Sequence, residues 1–245
     1  MVESTKRLGP DEWGNHYNDT ILKGLVSSLQ HLTYNLQTNE MLKLTNTGDK
    51  VLEVGSGSGY TTLALAQNHR LVTALDYSER CLDLTRKAAN QLNIKIETIL
   101  ADAEKELDFK DNNFDVIFQA GLLEHFTFDE RVNLLKNWSR FGKKMISLIP
   151  NGSSIPYRLG KEKMEKDGTW SYGVENAIFT LSPEFNLAGF KVTQEYSIGI
   201  EEAINFLPSK HYLNFLFKRL INKNVLKNSN QGYLLVTIGE KCGLN

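Results

Sequence analysis

Cysteine is nearly missing from this chain: Cys81 and Cys242 stand alone among 245 residues. Two thiols without metal-ligand spacing build neither a disulfide framework nor a metal cage, which points to a reducing compartment. A surplus of either charge is also lacking. The 28 basic and 29 acidic side chains leave a net charge of −1, without the broad basic excess of a general polyanion binder. Long apolar runs are absent as well. The opening MVESTKRLGPDEWGN has no signal-peptide core, and no later run reaches the roughly 18 apolar residues of a membrane span. Internal repeats and low-complexity tracts are not found. These absences lead to the expectation of a soluble cytoplasmic protein without stable membrane insertion or a nucleic-acid partner.

What is present is a 41% hydrophobic chain, enough for one large α/β domain. KVLEVG, LVTALD, IKIETILAD, FDVIFQAG and KKMISLIP read as successive strands. YTTLALAQN, SERCLDLTRKAANQL and DERVNLLKNWSRF read as helices between them. Such alternation predicts a mostly parallel sheet with helices on both faces. FKVTQEYSIG (190–199) and GYLLVTIGE, within 231–240, look like two more strands closing the sheet as an antiparallel pair. Residues 1–45 read as a helical cap and 46–150 as the core, with 151–189 and 200–230 as insertions over the site.

The stretch VLEVGSGSGYTTLALA, residues 51–66, is a strand feeding a helix through a loop with three alternating glycines. Gly55, Gly57 and Gly59 allow a sharp turn that presents N–H groups to a ligand at the carboxyl end of the first strand. A nicotinamide fingerprint would need glycine or alanine where Tyr60 stands, so a nicotinamide oxidoreductase is the least favoured reading.

EVGSGSG, with an acidic residue two positions before the first glycine, resembles motif I of the class I S-adenosylmethionine-dependent methyltransferases. The resemblance continues through Asp76 ending the second strand, LADAE ending the third and FDVIFQAGLLEHF at the fourth, and covers roughly residues 48–150. It is most similar to the broad type 11 group that includes quinone-biosynthesis methyltransferases. It implies a Rossmann-like fold with a seven-stranded sheet, S-adenosylmethionine as cofactor and S-adenosylhomocysteine as product.

On that resemblance, Gly55, Ser56, Gly57 and Gly59 face the methionine portion, while Glu53 orders the loop or meets the ammonium through water. Asp76 accepts the ribose hydroxyls, or alternatively caps the helix at SERC. Tyr77 covers an adenine face, Asp102 and the Ala103 backbone pair with the adenine edge, and Gln119 and Ala120 complete the cofactor wall. His125, in LLEHF, is the candidate general base; it could instead only shape the pocket with Glu124. Some quinone-pathway enzymes carry another acidic residue three positions before the Glu-His pair. Gly121 stands there, so no metal is expected.

Acceptor choice is expected in the additions to the core. Trp13, His16 and Tyr17 form one aromatic cluster, which ordinary packing of a helical cap also explains. Tyr157, Arg158, Trp170, Tyr172 and Glu175 form another in a turn-rich lid. HYLNFLFKRLINKNVL, with Lys218, Arg219, Lys223 and Lys227, is either a lid helix with solvated lysines or a contact for a lipid surface or anionic substrate. The expected function is methyl transfer to a small molecule, with O-methylation ahead of N-methylation; the alternative is a cofactor- or partner-binding protein without catalysis. No N/D-P-P-Y/F/W segment for a flipped base is present.

Overall fold

The computed structural model describes residues 6–208, 212–223, 226 and 229–242. Three helices precede the sheet: α1 (Pro10–Asn15), α2 (Asp19–Gln30) and α3 (Leu36–Leu44). Asn18 and Asn35 begin α2 and α3, each side-chain oxygen accepting N–H bonds from the first turn. Leu22, Leu25, Val26 and Leu29 of α2 recur every three or four residues and are buried, which makes one face of the helix a core face.

The alternating part follows as β1 (Lys50–Val54), α4 (Tyr60–Gln67), β2 (Leu71–Asp76), α5 (Glu79–Leu92), β3 (Glu97–Leu100), β4 (Phe114–Ala120), α6 (Phe128–Ser139) and β5 (Gly142–Pro150). The remaining elements are α7 (Ile155–Lys166), α8 (Ser182–Leu187), β6 (Phe190–Ile198), α9 (Ile200–Asn205), α10 (Tyr212–Asn222) and β7 (Leu234–Lys241). The seven strands lie in the order β3-β2-β1-β4-β5-β7-β6. β1 to β5 are parallel, and β7 runs antiparallel to both β5 and β6, so it is the single reversed strand. The fold is the Rossmann-like arrangement expected from the sequence. The third strand is shorter than IKIETILAD suggested, because it is an edge strand that pairs only with β2.

Alternation along the strands divides the core between the two sheet faces. Leu52 and Val54 join Ile117, Met145 and Trp138 on one side, while Val51 joins Val116, Phe118 and Leu148 on the other. The winding reverses between β1 and β4, so the loops after these strands border one crevice, the place where open parallel sheets bind ligands. On α10, Phe217 and Leu213 pack with Ile204 and Leu207, while Lys218 and Arg219 are exposed, as is Lys223 just after the helix; Lys227 lies outside the described residues. Among the described residues, no helix is long and apolar enough to cross a membrane.

Candidate active site

The glycine loop between β1 and α4 holds all three glycines at positive φ: +70° at Gly55, +54° at Gly57 and +68° at Gly59. Their tasks differ. Gly59 lies against α5, where an added Cβ would sit 2.2 Å from the Thr85 methyl, so this glycine brings two helices together. Gly55 and Gly57 face the crevice. Gly55 and Ser56 donate their N–H groups to the Leu75 carbonyl at 2.8 and 3.1 Å, tying the loop to β2. The Ser56 hydroxyl is buried and has no hydrogen-bond partner.

Asp76 anchors the other side of this loop. One carboxylate oxygen accepts the Gly57 N–H and the other the Ser78 N–H, each at 2.8 Å. Burial raises its pKa against these bonds. Two adjoining cavities of about 170 Å³ each open here, sharing Trp13, Gly55, Asp76, Tyr77 and Leu122. The first includes Glu53, Ser56, Gly57 and Ala120; the second includes Asp102, Ala103 and His125. Both linings mix polar side chains with aromatic or apolar ones. The N–H groups of Gly55, Ser56 and Gly57 are taken up by Leu75 and Asp76, contrary to the expectation that the loop presents them to a ligand. The acidic side chains, the unpartnered Ser56 hydroxyl and the bare Cα positions of Gly55 and Gly57 suit a nucleoside joined to a zwitterionic tail.

Several expected cofactor residues also hold the site together. Glu53 Oε2 accepts the Thr62 N–H at 2.9 Å and the Thr62 hydroxyl, fixing the first turn of α4. Burial pushes this carboxyl up to about 8. Tyr77 donates its hydroxyl to the Leu8 carbonyl at 2.7 Å, fastening the segment before α1 across the crevice. Asp102 accepts the Glu104 N–H at 3.0 Å, and the Ala103 carbonyl accepts the Trp138 indole at 3.3 Å. Gln119 is fully buried: its oxygen accepts the Leu122 and Leu123 N–H groups, and its nitrogen donates to Ser147. It does not line either cavity, and it shapes the turn that carries Glu124 and His125.

His125 sits in a single 3-10 turn, Leu123–His125, beyond β4. Its Nδ1 lies 2.5 Å from the Val174 carbonyl oxygen. A carbonyl only accepts, so Nδ1 carries the proton and Nε2 keeps its lone pair. Burial holds the imidazole below its ordinary pKa, against the upward pull of the Val174 bond and of Glu175. Nε2 faces the Glu124 carboxylate at 4.0 Å. Glu124 is 3% exposed, its Oε2 has no hydrogen-bond partner, and burial pushes it up to about 8.

An aromatic roof joins the N-terminal cap to the loop after α7. Trp13 contacts His16 and His125, each with ring centroids 5.5 Å away, and Tyr172 at 6.3 Å. His16 stacks on Tyr172, which meets Trp170 edge-on at 5.2 Å. Tyr17 reaches under this roof, with its hydroxyl 2.7 Å from where a Gly57 Cβ would be. Tyr157 donates to both oxygens of Glu175, at 2.7 and 2.8 Å. Arg158 lies apart from the roof, over the Phe179 ring, and lines with Tyr157 and Glu175 a separate cavity of about 450 Å³.

Three participants were not singled out by the sequence. Arg7 lies 4.6 Å over the Phe126 ring and pairs with Glu104 and Glu130, closing one end of the crevice. Asn176 donates to the Glu124 and Phe126 carbonyls and holds their turn. Lys161 places its ammonium 4.9 Å over Trp170. A helical spacing of Tyr157, Lys161 and Glu165 was the available signal for the last of these. Among the described residues, no three His, Cys, Asp or Glu side chains gather as a metal-binding group.

Residues 51–144 match the family model described as a methyltransferase domain. The chain is 24% identical over 224 residues to demethylmenaquinone methyltransferase of Bacillus cereus, covering 90% of each chain. It is 35% identical over 102 residues to ubiquinone biosynthesis O-methyltransferase of Coxiella burnetii, covering 39% of each. In fold it is similar to a SAM-dependent methyltransferase from Aquifex aeolicus, with a TM-score of 0.58 at 15% identity, covering 95% of this chain and 98% of that one. Magnesium protoporphyrin IX methyltransferase from Synechocystis PCC 6803 with bound SAH gives 0.59 at 14% identity, with 94% and 93% covered. With a glycine loop, a buried acidic strand end and a seven-stranded sheet of this order, the chain is a class I S-adenosylmethionine-dependent methyltransferase.

Proposed function

We propose that this enzyme acts in the cytoplasm and methylates a hydroxyl of a small organic molecule, with His125 as general base. The observation that carries the reading is the Val174 bond, which leaves a neutral imidazole with its Nε2 lone pair beside the crevice. S-adenosylmethionine supplies a methyl group on a sulfonium, already activated for in-line displacement. The methionine portion lies along the bare Cα positions of Gly55 and Gly57, with the Ser56 hydroxyl as its hydrogen-bonding partner; Glu53 orders that loop. Asp76 accepts the ribose hydroxyls, Tyr77 covers adenine, and Asp102 with the Ala103 N–H pairs with its edge. Ala120 lines the cavity of Gly55 and Ser56, while Gln119 braces from behind the turn that carries Glu124 and His125.

On the acceptor side, Trp13, His16, Tyr17 and Tyr172 exclude water, and His125 Nε2 takes the hydroxyl proton as the new bond forms. Glu124 and Trp170 complete recognition of the acceptor, and Tyr157 and Arg158, on the separate cavity, meet only an acceptor long enough to extend there. The printed names of the two quinone-related relatives support a small organic acceptor. The test is transfer of labelled methyl from S-adenosylmethionine to a panel of phenols, alcohols, amines and carboxylic acids. A methylated hydroxyl compound whose formation requires His125 supports the reading. Methylation confined to amines and indifferent to His125→Gln overturns the hydroxyl assignment.

A further inference from the structure

We infer that α10 docks the enzyme reversibly on an anionic lipid surface, with Phe215 and Leu216 entering the headgroup layer and Lys218, Arg219 and Lys223 meeting its phosphates. The inference goes beyond the proposed function and depends neither on His125 nor on the identity of the acceptor.

The first observation is that the inner face of α10 is already satisfied. Leu213, Phe217 and Ile221 pack with Ile204 and Leu207 at the end of α9. The buried Asn214 donates from its side chain to the Leu207 carbonyl at 3.3 Å and the Ile204 carbonyl at 3.5 Å. A helix seated in this way ordinarily turns polar side chains to water on its other face. Instead Phe215 is 73% exposed and Leu216 43%, one turn ahead of the exposed Arg219 on the same side. Single exposed apolar side chains are common on protein surfaces. Two large ones side by side, bordered by cations, have the composition of a helix that lies in a bilayer interface.

The second observation is charge. Between Glu202 and Glu240 the sequence holds five lysines and arginines and no acidic residue, in a chain whose net charge is −1. Glu201 and Glu202 stand in the first turn of α9, while α10 packs at its other end. Lys161, Lys163 and Lys166 of α7 each pair with a carboxylate four residues away. Among the described residues, Lys218, Arg219 and Lys223 have no such partner. A bilayer supplies the missing anions and takes up apolar side chains without a shaped groove. Long basic side chains reach its phosphates while Phe215 and Leu216 sit deeper. Leucine offers a nucleobase no face to stack on, so a nucleic acid does not fit this patch. With 11 residues α10 is too short to span a bilayer, and it lies along the surface.

The experiment is co-sedimentation of the full chain with fluid vesicles of phosphatidylcholine alone, and of phosphatidylcholine mixed equally with phosphatidylglycerol. Partition onto the anionic vesicles is expected to be at least about tenfold stronger, and salt at about 0.5 M should remove most of that preference. Phe215→Ser with Leu216→Ser, and separately Lys218→Glu with Arg219→Glu, should each lower anionic binding at least about tenfold. All four side chains are exposed, and a parental thermal midpoint shows that the variants are folded. The lipid and salt comparisons need no variant. No sedimentation, equal binding to both vesicles, or binding that survives either double substitution overturns the inference. Size exclusion tests the other occupant. A parent dimer that Phe215→Ser with Leu216→Ser reduces to a monomer assigns the face to a second copy of the chain, and the lipid assignment falls.

Discussion

His125 and Val174 are joined by a 2.5 Å contact between the imidazole Nδ1 and a backbone carbonyl oxygen, which sets the tautomer of the ring. Because the acceptor is backbone, substitution of Val174 does not remove it. The tautomer is therefore fixed by where the loop after α7 runs, not by which side chain stands there.

Replacing His125 with Gln is expected to reduce hydroxyl methylation by about 10²–10⁴-fold, the usual range for loss of a general base. S-adenosylhomocysteine affinity should fall much less than the rate, because His125 lines the cavity of Asp102 and Ala103 without being one of the proposed cofactor contacts. Single-turnover transfer of labelled methyl, together with calorimetry, separates these effects. Loss of cofactor affinity in parallel with rate would reduce His125 to a structural wall.

Asp76→Ala removes the acceptor of two loop N–H groups as well as the proposed ribose contact. Hydrogen bonds to a charged group are worth about 1.5–3 kcal/mol, so S-adenosylhomocysteine should bind about 10–100-fold more weakly. Asp76→Asn, which keeps one oxygen acceptor, should fall between. Calorimetric titration of the three proteins gives the order, and an unchanged Asp76→Ala affinity would remove Asp76 from the cofactor site.

Gly59→Ala should destabilise the fold by about 1–3 kcal/mol, through both its left-handed backbone and the Thr85 clash. Thr85→Ala in the same chain should recover only the part due to contact. Urea midpoints of the single and double variants measure the division. If Gly59→Ala is as stable as the parent, the close approach of α4 and α5 is not required.

Stability of the ligand-free enzyme should fall as pH rises from about 6.5 to 8. Burial pushes Glu53 and Glu124 up to about 8 and Glu175 to about 7, from an ordinary 4.5. In that window the native state holds protons that the unfolded chain has released, which favours unfolding by up to about 1.4 kcal/mol per pH unit for each group. His125, lowered from 6.5, acts in the opposite sense only below that value. Thermal midpoints against pH check the slope, and Glu124→Gln should flatten it. A midpoint that rises across the window contradicts the protonated state of these buried carboxyls.

The parallel core was legible because its strands are short apolar runs ended by Gly55, Asp76 and Gly121, with the strongly amphipathic α5 among the helices between them. The position of β7 was not, since pairing between Leu148 and Val236 is set by tertiary packing that no local pattern encodes. The glycine loop announced a close backbone approach but not its partners. Gly59 answers to Thr85 on another helix, whereas Gly55 and Gly57 line the crevice.

Helix α7 was obscured by its own residues. Pro156 and Gly160 resemble turn signals, yet the proline occupies the first turn of the helix, where its missing N–H is no loss. Gly160 lies where a Cβ would meet the Phe206 carbonyl at 2.4 Å, so it serves the contact with the segment after α9. Reading these two as loop hid the face that carries Tyr157 and Lys161.

The reversed strand β7 makes the order of synthesis and the order of the sheet disagree. It follows the other six strands of this sheet along the chain and fills the slot between β5 and β6. Until Leu234–Lys241 emerges from the ribosome, β5 presents an open edge carrying Ile146 and Leu148, and β6 has no neighbour in the sheet. A nascent chain with the whole cofactor loop already made therefore still exposes an unpaired margin, and any translation pause ahead of residue 234 prolongs that exposure.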